Sequence, residues 1–167
     1  VTPALARPIV TFLYVGHLRP ASGTWGSAAA VPAAYALHLL GGFPLLAAAT
    51  ALALALGWWA TAAWLEATGR DDPSEVVIDE VVGQWIALFP LSGGLWAMGA
   101  DPALFPWPGW LGAFVMFRLF DIWKPGPIGR ADRRPGAAGV MLDDVLAGIA
   151  AALVVSAAAA LSHGLIR

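Results

Sequence analysis

Cysteine is absent from this chain, which excludes disulfides, a thiolate nucleophile and any soft-metal site built on sulfur. Histidine is scarce: His17, His38 and His163 lie far apart without metal-ligand spacing, so no zinc centre is expected. Charge is also scarce. Only 12% of residues are charged, about half of the roughly 25% usual in a soluble domain. The 167 residues are enough for one domain, 1–167. At 59% hydrophobic residues and a mean hydropathy of +0.73, that domain carries more apolar surface than one core can hide. The surplus is expected to face lipid. A net charge of −2 offers no general attraction to nucleic acid. Residues 1–19 lack the basic start, apolar run and small-residue site of a signal peptide, so targeting is expected to reside in the apolar segments.

What the chain does have is apolar runs bounded by Gly, Pro or charge, which predict an all-α, polytopic membrane bundle of four to five hydrophobic helices. They cover 25–40 with a kink expected at Pro32, 44–65, 79–98 interrupted at Pro90, 110–123, and 143–161. Gly41-Gly42-Phe43-Pro44 reads as a tight turn, and the stretch before Trp25 as an interfacial helix. Nine tryptophans suit the headgroup boundary. If the segments alternate in direction, 1–24, 66–78 and 124–142 share one face. Arg7, Arg19, Arg70, Lys124, Arg130, Arg133 and Arg134 then fall there, which predicts that this face is cytoplasmic. The acids follow, Asp101 excepted.

Two segments repeat a pattern. Asp79-Glu80-Val81-Val82-Gly83 and Asp143-Asp144-Val145-Leu146-Ala147-Gly148 each put adjacent carboxylates ahead of a Gly at the start of an apolar helix. Acids favour helix N-termini through the macrodipole, so capping alone is one reading. Carboxylates near hydrocarbon are costly, however, and the small Gly lets a second helix approach closely. Two such helices side by side would gather four carboxylates, which repel unless a cation binds them. Hard oxygen ligands point to Mg²⁺.

Arg118, Asp121 and Lys124 recur every three residues at a helix end, either as an ion-pair ladder or as partners for a phosphate. Ser22-Gly23-Thr24-Trp25-Gly26-Ser27 offers backbone donors and hydroxyls to an anion, or simply an N-cap. Arg130, Arg133 and Arg134 in the Pro/Gly-rich loop 125–139 read best as anchors on anionic headgroups.

Taken in order, the block from Asp72-Pro73 to Gly83, the block Phe117-Arg118-Leu119-Phe120-Asp121-Ile122-Trp123-Lys124-Pro125, the block from Gly139 to Gly148, and Gly23-Thr24-Trp25-Gly26-Ser27 resemble the phosphatidylglycerophosphatase A family. The chain departs from the family pattern at Ser22, where proline is usual, in a preceding loop one residue short, and at His17. The resemblance implies a multi-pass enzyme of the bacterial inner membrane that hydrolyses phosphatidylglycerophosphate to phosphatidylglycerol with Mg²⁺ as cofactor. It implies that Asp79, Glu80, Asp143 and Asp144 are metal-binding or catalytic acids, completed by Asp121 and Lys124. Thr24, Ser27, Arg118, Lys124 and Arg130 are the candidate substrate contacts.

Metal-assisted hydrolysis of a phosphomonoester is therefore expected, with Lys124 and Arg118 stabilising phosphoryl charge and Asp121 orienting water. Other phosphatase chemistries lack their residues: there is no Asp-x-Asp triplet, no Ser-Gly-His motif and no Asp-Gly-x-x-Ala-Arg pattern. The alternative from another class is a small cation transporter or channel, whose acids should sit near mid-membrane on broken helices.

Overall fold

The computed structural model describes residues 3–165, the side chains of residue 3 and of 163–165 excepted. Within them the chain is all-helical: α1 (Pro3–Val10), a 3₁₀ turn (Val15–His17), α2 (Ser22–Thr68), α3 (Ile78–Ala87), α4 (Phe89–Ala97), α5 (Trp107–Trp123), α6 (Pro127–Asp132) and α7 (Ala137–Leu165). Two of these, α2 over Ser22–Thr68 and α7 over Ala137–Ser162, are long and apolar enough to cross a membrane.

The predicted turn at Gly41–Pro44 is present. Gly41 and Gly42 leave helical geometry inside α2, and Gly42 adopts φ +63°, a left-handed conformation that side chains resist. The two arms of α2 fold back on each other, since Gly26 on one and Gly57 on the other press against the adjacent residues Val77 and Ile78. At Pro32, where a kink is expected, the backbone dihedrals stay helical. The predicted segment 79–98 divides into α3 and α4 at Leu88. Pro90 has no N–H to continue the ladder and sits in the first turn of α4, where none is needed.

Two further corrections bear on the site. Residues 125–139 contain the short helix α6, and α7 begins at Ala137, earlier than expected. Asp143 and Asp144 thus lie inside a helix rather than at its start. The capping explanation for that pair falls away, because the orphan N–H groups belong to the preceding turn.

The helix α3 is the hub. Val81, Val82, Trp85, Ala87 and Leu88 are buried where it and its end pack against α2 and α7, with α5 closing from the side. Trp85 donates its indole N–H to the Ala30 carbonyl at 2.9 Å, tying α3 to the first arm of α2. The outer surfaces of α2, α5 and α7 stay apolar: Leu40, Leu52, Val115, Ile122, Leu153 and Leu161 are all more than half exposed.

Candidate active site

The site begins with two glycines. A Cβ on Gly148 of α7 would lie 3.0 Å from the Gly83 Cα and closer still to its carbonyl oxygen. A Cβ on Gly83 of α3 would meet the Asp144 carbonyl at 2.6 Å and the Phe117 ring of α5. Three helices converge here at a spacing that only hydrogen side chains permit. One turn before Gly83 stand Asp79 and Glu80, and one turn before Gly148 stand Asp143 and Asp144. Arg118 follows Phe117 directly, and Asp121 stands one turn beyond it. The crossing fixes the carboxylates in one place.

Asp79, Glu80, Asp121, Lys124, Asp143 and Asp144 all line one cavity of about 520 Å³. Oxygen atoms of Asp79, Glu80 and Asp144 lie within 4.8 Å of one another, and so do those of Asp121, Asp143 and Asp144. Asp79, Asp143 and Asp144 are at most 8% exposed. Asp79 Oδ1, Glu80 Oε2, Asp143 Oδ1 and Asp144 Oδ1 are buried with no hydrogen-bond partner. A buried carboxylate oxygen without a donor is a costly arrangement in a folded protein. Hard divalent cations take such oxygens, and opposed ligands on Mg²⁺ are about 4.2 Å apart. In number and chemistry the buried, partnerless oxygens fit Mg²⁺.

The end of α5 aims the basic groups. Lys124 adopts left-handed φ 49°, ψ 53°, donates its N–H back to the Phe120 carbonyl at 2.8 Å, and is followed by Pro125, which prevents further helix. Its ammonium donates to Asp143 Oδ2 at 2.6 Å and to Asp132 Oδ1. Burial alone would disfavour the charged lysine, but bonds to Asp132 and Asp143 and their negative charges outweigh it and raise the Lys124 pKa. Arg118 Nη1 bonds Asp121 Oδ2 at 2.5 Å and donates to Ser27 Oγ at 3.3 Å.

The remaining predicted contacts are placed differently. Ser27 is fully buried and donates to the Gly23 carbonyl at 2.9 Å, so it supports Arg118 from beneath rather than facing the cavity. Thr24 is half-buried in the first turn of α2 and does not line the cavity; Ser22 does, donating to the Ser74 carbonyl. Gly23 presses on the Glu80 carboxylate, where a Cβ would collide. The Gly-rich turn therefore abuts an acid rather than an open anion site. Arg130 borders a separate groove with Pro127, Leu142 and Leu146. Arg134 borders both that groove and the acidic cavity.

Sequence reasoning did not assign Asp132, Arg134, Asp71, Asp72 or Ser22 to the site, although all line the cavity. Asp132 had a signal available, being an acid eight residues beyond the chain's single lysine, but only α6 turns it back. A second cavity of about 600 Å³ between α2 and α5 is lined by Val31, Pro32, Tyr35, Phe105, Trp110 and Phe114 among others, and has no acidic or basic side chain.

The family model for phosphatidylglycerophosphatase A matches residues 8–159. The chain is 38% identical over 143 residues to phosphatidylglycerophosphatase A of Haemophilus influenzae, covering 85% of this chain and 81% of that one. It is 34% identical over 132 residues to phosphatidylglycerophosphatase A of Escherichia coli, covering 78% and 69%. It is also 38% identical over 143 residues to a protein of Bacteroides thetaiotaomicron named a putative phosphatidylinositol-3-phosphatase, covering 83% of each. No solved structure matches the chain. With the match spanning every helix that builds the acidic cavity, the chain belongs to the phosphatidylglycerophosphatase A family.

Proposed function

We propose that the protein is a Mg²⁺-dependent lipid phosphatase that hydrolyses the terminal phosphomonoester of phosphatidylglycerophosphate, leaving phosphatidylglycerol and phosphate. The observation that carries this reading is the convergence of five carboxylates with Lys124 and Arg118 beside one cavity, four of the acids holding a buried oxygen without a partner. Asp79, Glu80, Asp143 and Asp144 would supply the metal ligands, with Asp121 beside them. Bound there, Mg²⁺ would supply positive charge against the phosphoryl oxygens and acidify water at the site.

The chain's own residues do the rest. Lys124 and Arg134 attract the anionic headgroup into the cavity, and Lys124 stays charged because two carboxylates hold it. Asp121, with Oδ2 held by Arg118, orients the attacking water through its other oxygen. The water oxygen bonds to phosphorus as the bond from phosphorus to the glycerol oxygen breaks, and the proton the water gives up ends on that glycerol oxygen. Ser27 and Asp121 together keep the Arg118 guanidinium in the plane it needs.

The same reading places the chain in a bacterial inner membrane as a multi-pass protein with the cavity toward the cytoplasm. The two long apolar helices, the hairpin within α2 and the exposed apolar side chains support it. Arg70, Arg130, Arg133 and Arg134 lie in or beside the connections at the cavity end, as expected of a cytoplasmic face. The absence of cysteine makes this directly testable, because an Ala67→Cys variant, exposed near the end of α2, carries a single thiol. Labelling of that thiol from outside sealed inside-out vesicles supports the orientation; protection there with labelling in spheroplasts reverses it. A cation carrier would need its acids near mid-membrane. Here they stand at the start of α3, near the end of α5 and in the second turn of α7, and family membership lends transport no support.

The deciding experiment is phosphate release by the purified protein in detergent micelles, with Mg²⁺ and with EDTA, from phosphatidylglycerophosphate, phosphatidate and phosphatidylinositol 3-phosphate. Metal-dependent release that favours the first and is lost in Asp144→Asn is expected. Preference for the inositol lipid would overturn the substrate assignment. No release from folded protein with any divalent metal would overturn the activity.

A further inference from the structure

We propose that the site holds two divalent cations side by side, with Asp144 as a ligand to both. The inference rests on the metal-dependent phosphatase reading and adds the number of ions and the division of ligands between them. Its first ground is geometric. Among the described residues the close oxygens divide into two threes, Asp79 with Glu80 and Asp121 with Asp143, and Asp144 is the member they share. Asp144 is 3% exposed, sits beside the helix crossing at Gly148, and keeps a buried oxygen without a partner.

The second ground is the state of the individual oxygens. Asp143 has given Oδ2 to Lys124 and Asp121 has given Oδ2 to Arg118, so each offers one remaining oxygen. Asp143 Oδ1 is buried and partnerless in one group; Asp79 Oδ1 and Glu80 Oε2 are buried and partnerless in the other. One ion among Asp79, Glu80 and Asp144 leaves Asp143 Oδ1 unsatisfied. One among Asp121, Asp143 and Asp144 leaves Asp79 and Glu80 so. Two ions satisfy all of them, and buried polar atoms left unpaired are what folded proteins avoid.

The third ground is charge. Five carboxylates against Lys124 and Arg118 leave three negative charges uncompensated among largely buried groups. At the rim Asp71, Asp72 and Asp132, the last paired with Lys124, are opposed by Arg134, and all four are exposed and screened. One divalent ion leaves the buried site negative toward an incoming phosphomonoester, itself a dianion near neutral pH. Two make it positive. A pair of ions about 3.5–4 Å apart is also the arrangement that clamps both the attacking and the leaving oxygen of an in-line phosphoryl displacement.

The test uses the full chain in detergent micelles, metal-stripped and reloaded with Mn²⁺, reading bound ions per chain by calorimetry and spin coupling by electron paramagnetic resonance. Wild-type protein should bind two Mn²⁺ with a coupled spectrum. Asp79→Asn and Asp121→Asn should each retain one Mn²⁺ with an uncoupled spectrum, and Asp144→Asn should lose tight binding of both. Circular dichroism and a monodisperse elution profile establish that each variant is folded. A single Mn²⁺ in wild type that still hydrolyses the lipid would overturn the two-ion site and leave the phosphatase reading standing. Loss of all Mn²⁺ in both Asp79→Asn and Asp121→Asn would point to one shared ion and also overturn it. No Mn²⁺ in folded wild type would overturn both.

Discussion

Gly148→Ala adds one methyl group, and propensity alone predicts that it helps. Alanine in a helix interior is favoured over glycine by about 1 kcal/mol. The structure predicts the opposite. The new Cβ would stand 3.0 Å from the Gly83 Cα and nearer to its carbonyl oxygen, against an ordinary contact of about 3.5–4 Å. These are backbone atoms of α3, so no rotamer change relieves the clash. Helices α3 and α7 must separate by roughly 1 Å, at an overpacking cost of about 1–3 kcal/mol. That separation pulls Asp79 and Glu80 away from Asp144, and a misplacement of about 1 Å at a reacting centre costs on the order of 10²-fold. The expected result is a Tm below wild type, kcat down about 10²-fold, and a raised Mg²⁺ requirement. Gly112→Ala in α5 is the control, since nothing lies within 4 Å of its Cβ and it should only stabilise. Phosphate release at varied Mg²⁺, with thermal unfolding of both variants in the same detergent, decides the matter. A Gly148→Ala protein with wild-type kcat and a higher Tm would refute the claim that this crossing sets the site.

Three further expectations follow from named contacts. Lys124→Ala should lower kcat by about 10²- to 10³-fold by removing a preorganised cation. Because its pKa is raised, the wild-type ammonium and its pairing are intact below the ordinary lysine value of 10.5 and are lost only as pH rises through the higher folded value. The kcat–pH profile should thus show no lysine limb up to that pH; a limb near pH 9 that moves in Lys124→Arg would contradict this. Arg134→Ala should raise KM about 10-fold with kcat little changed, the size of one charged hydrogen bond, while Arg130→Ala leaves both alone. Steady-state kinetics in mixed micelles would reveal the reverse ranking if the sequence-based choice of Arg130 were right. Ser27→Ala should reduce kcat about 5- to 10-fold by releasing Arg118, and a KM effect alone would show instead that Ser27 meets substrate.

The amino-acid sequence by itself determined the local structure and the inventory of chemistry. Apolar runs of the observed period must become helices, Gly41-Gly42 must break one, and Pro90 must interrupt another, since each depends only on backbone stereochemistry and near neighbours. The two acid-pair segments with a glycine one turn later were legible for the same reason, as were the blocks that mark the family. Tertiary structure decided which groups meet. Gly83 and Gly148 are 65 positions apart, and nothing local says that they cross or that Phe117 seals the contact. Helix α6 turns Asp132 onto Lys124, Ser27 meets Arg118 from 91 positions away, and Arg134 rather than Arg130 reaches the cavity only as part of the packed whole. Periodicity specifies the face of one helix. Partners across helices, and the aim of loop arginines without any period, are set by the close packing of the entire bundle.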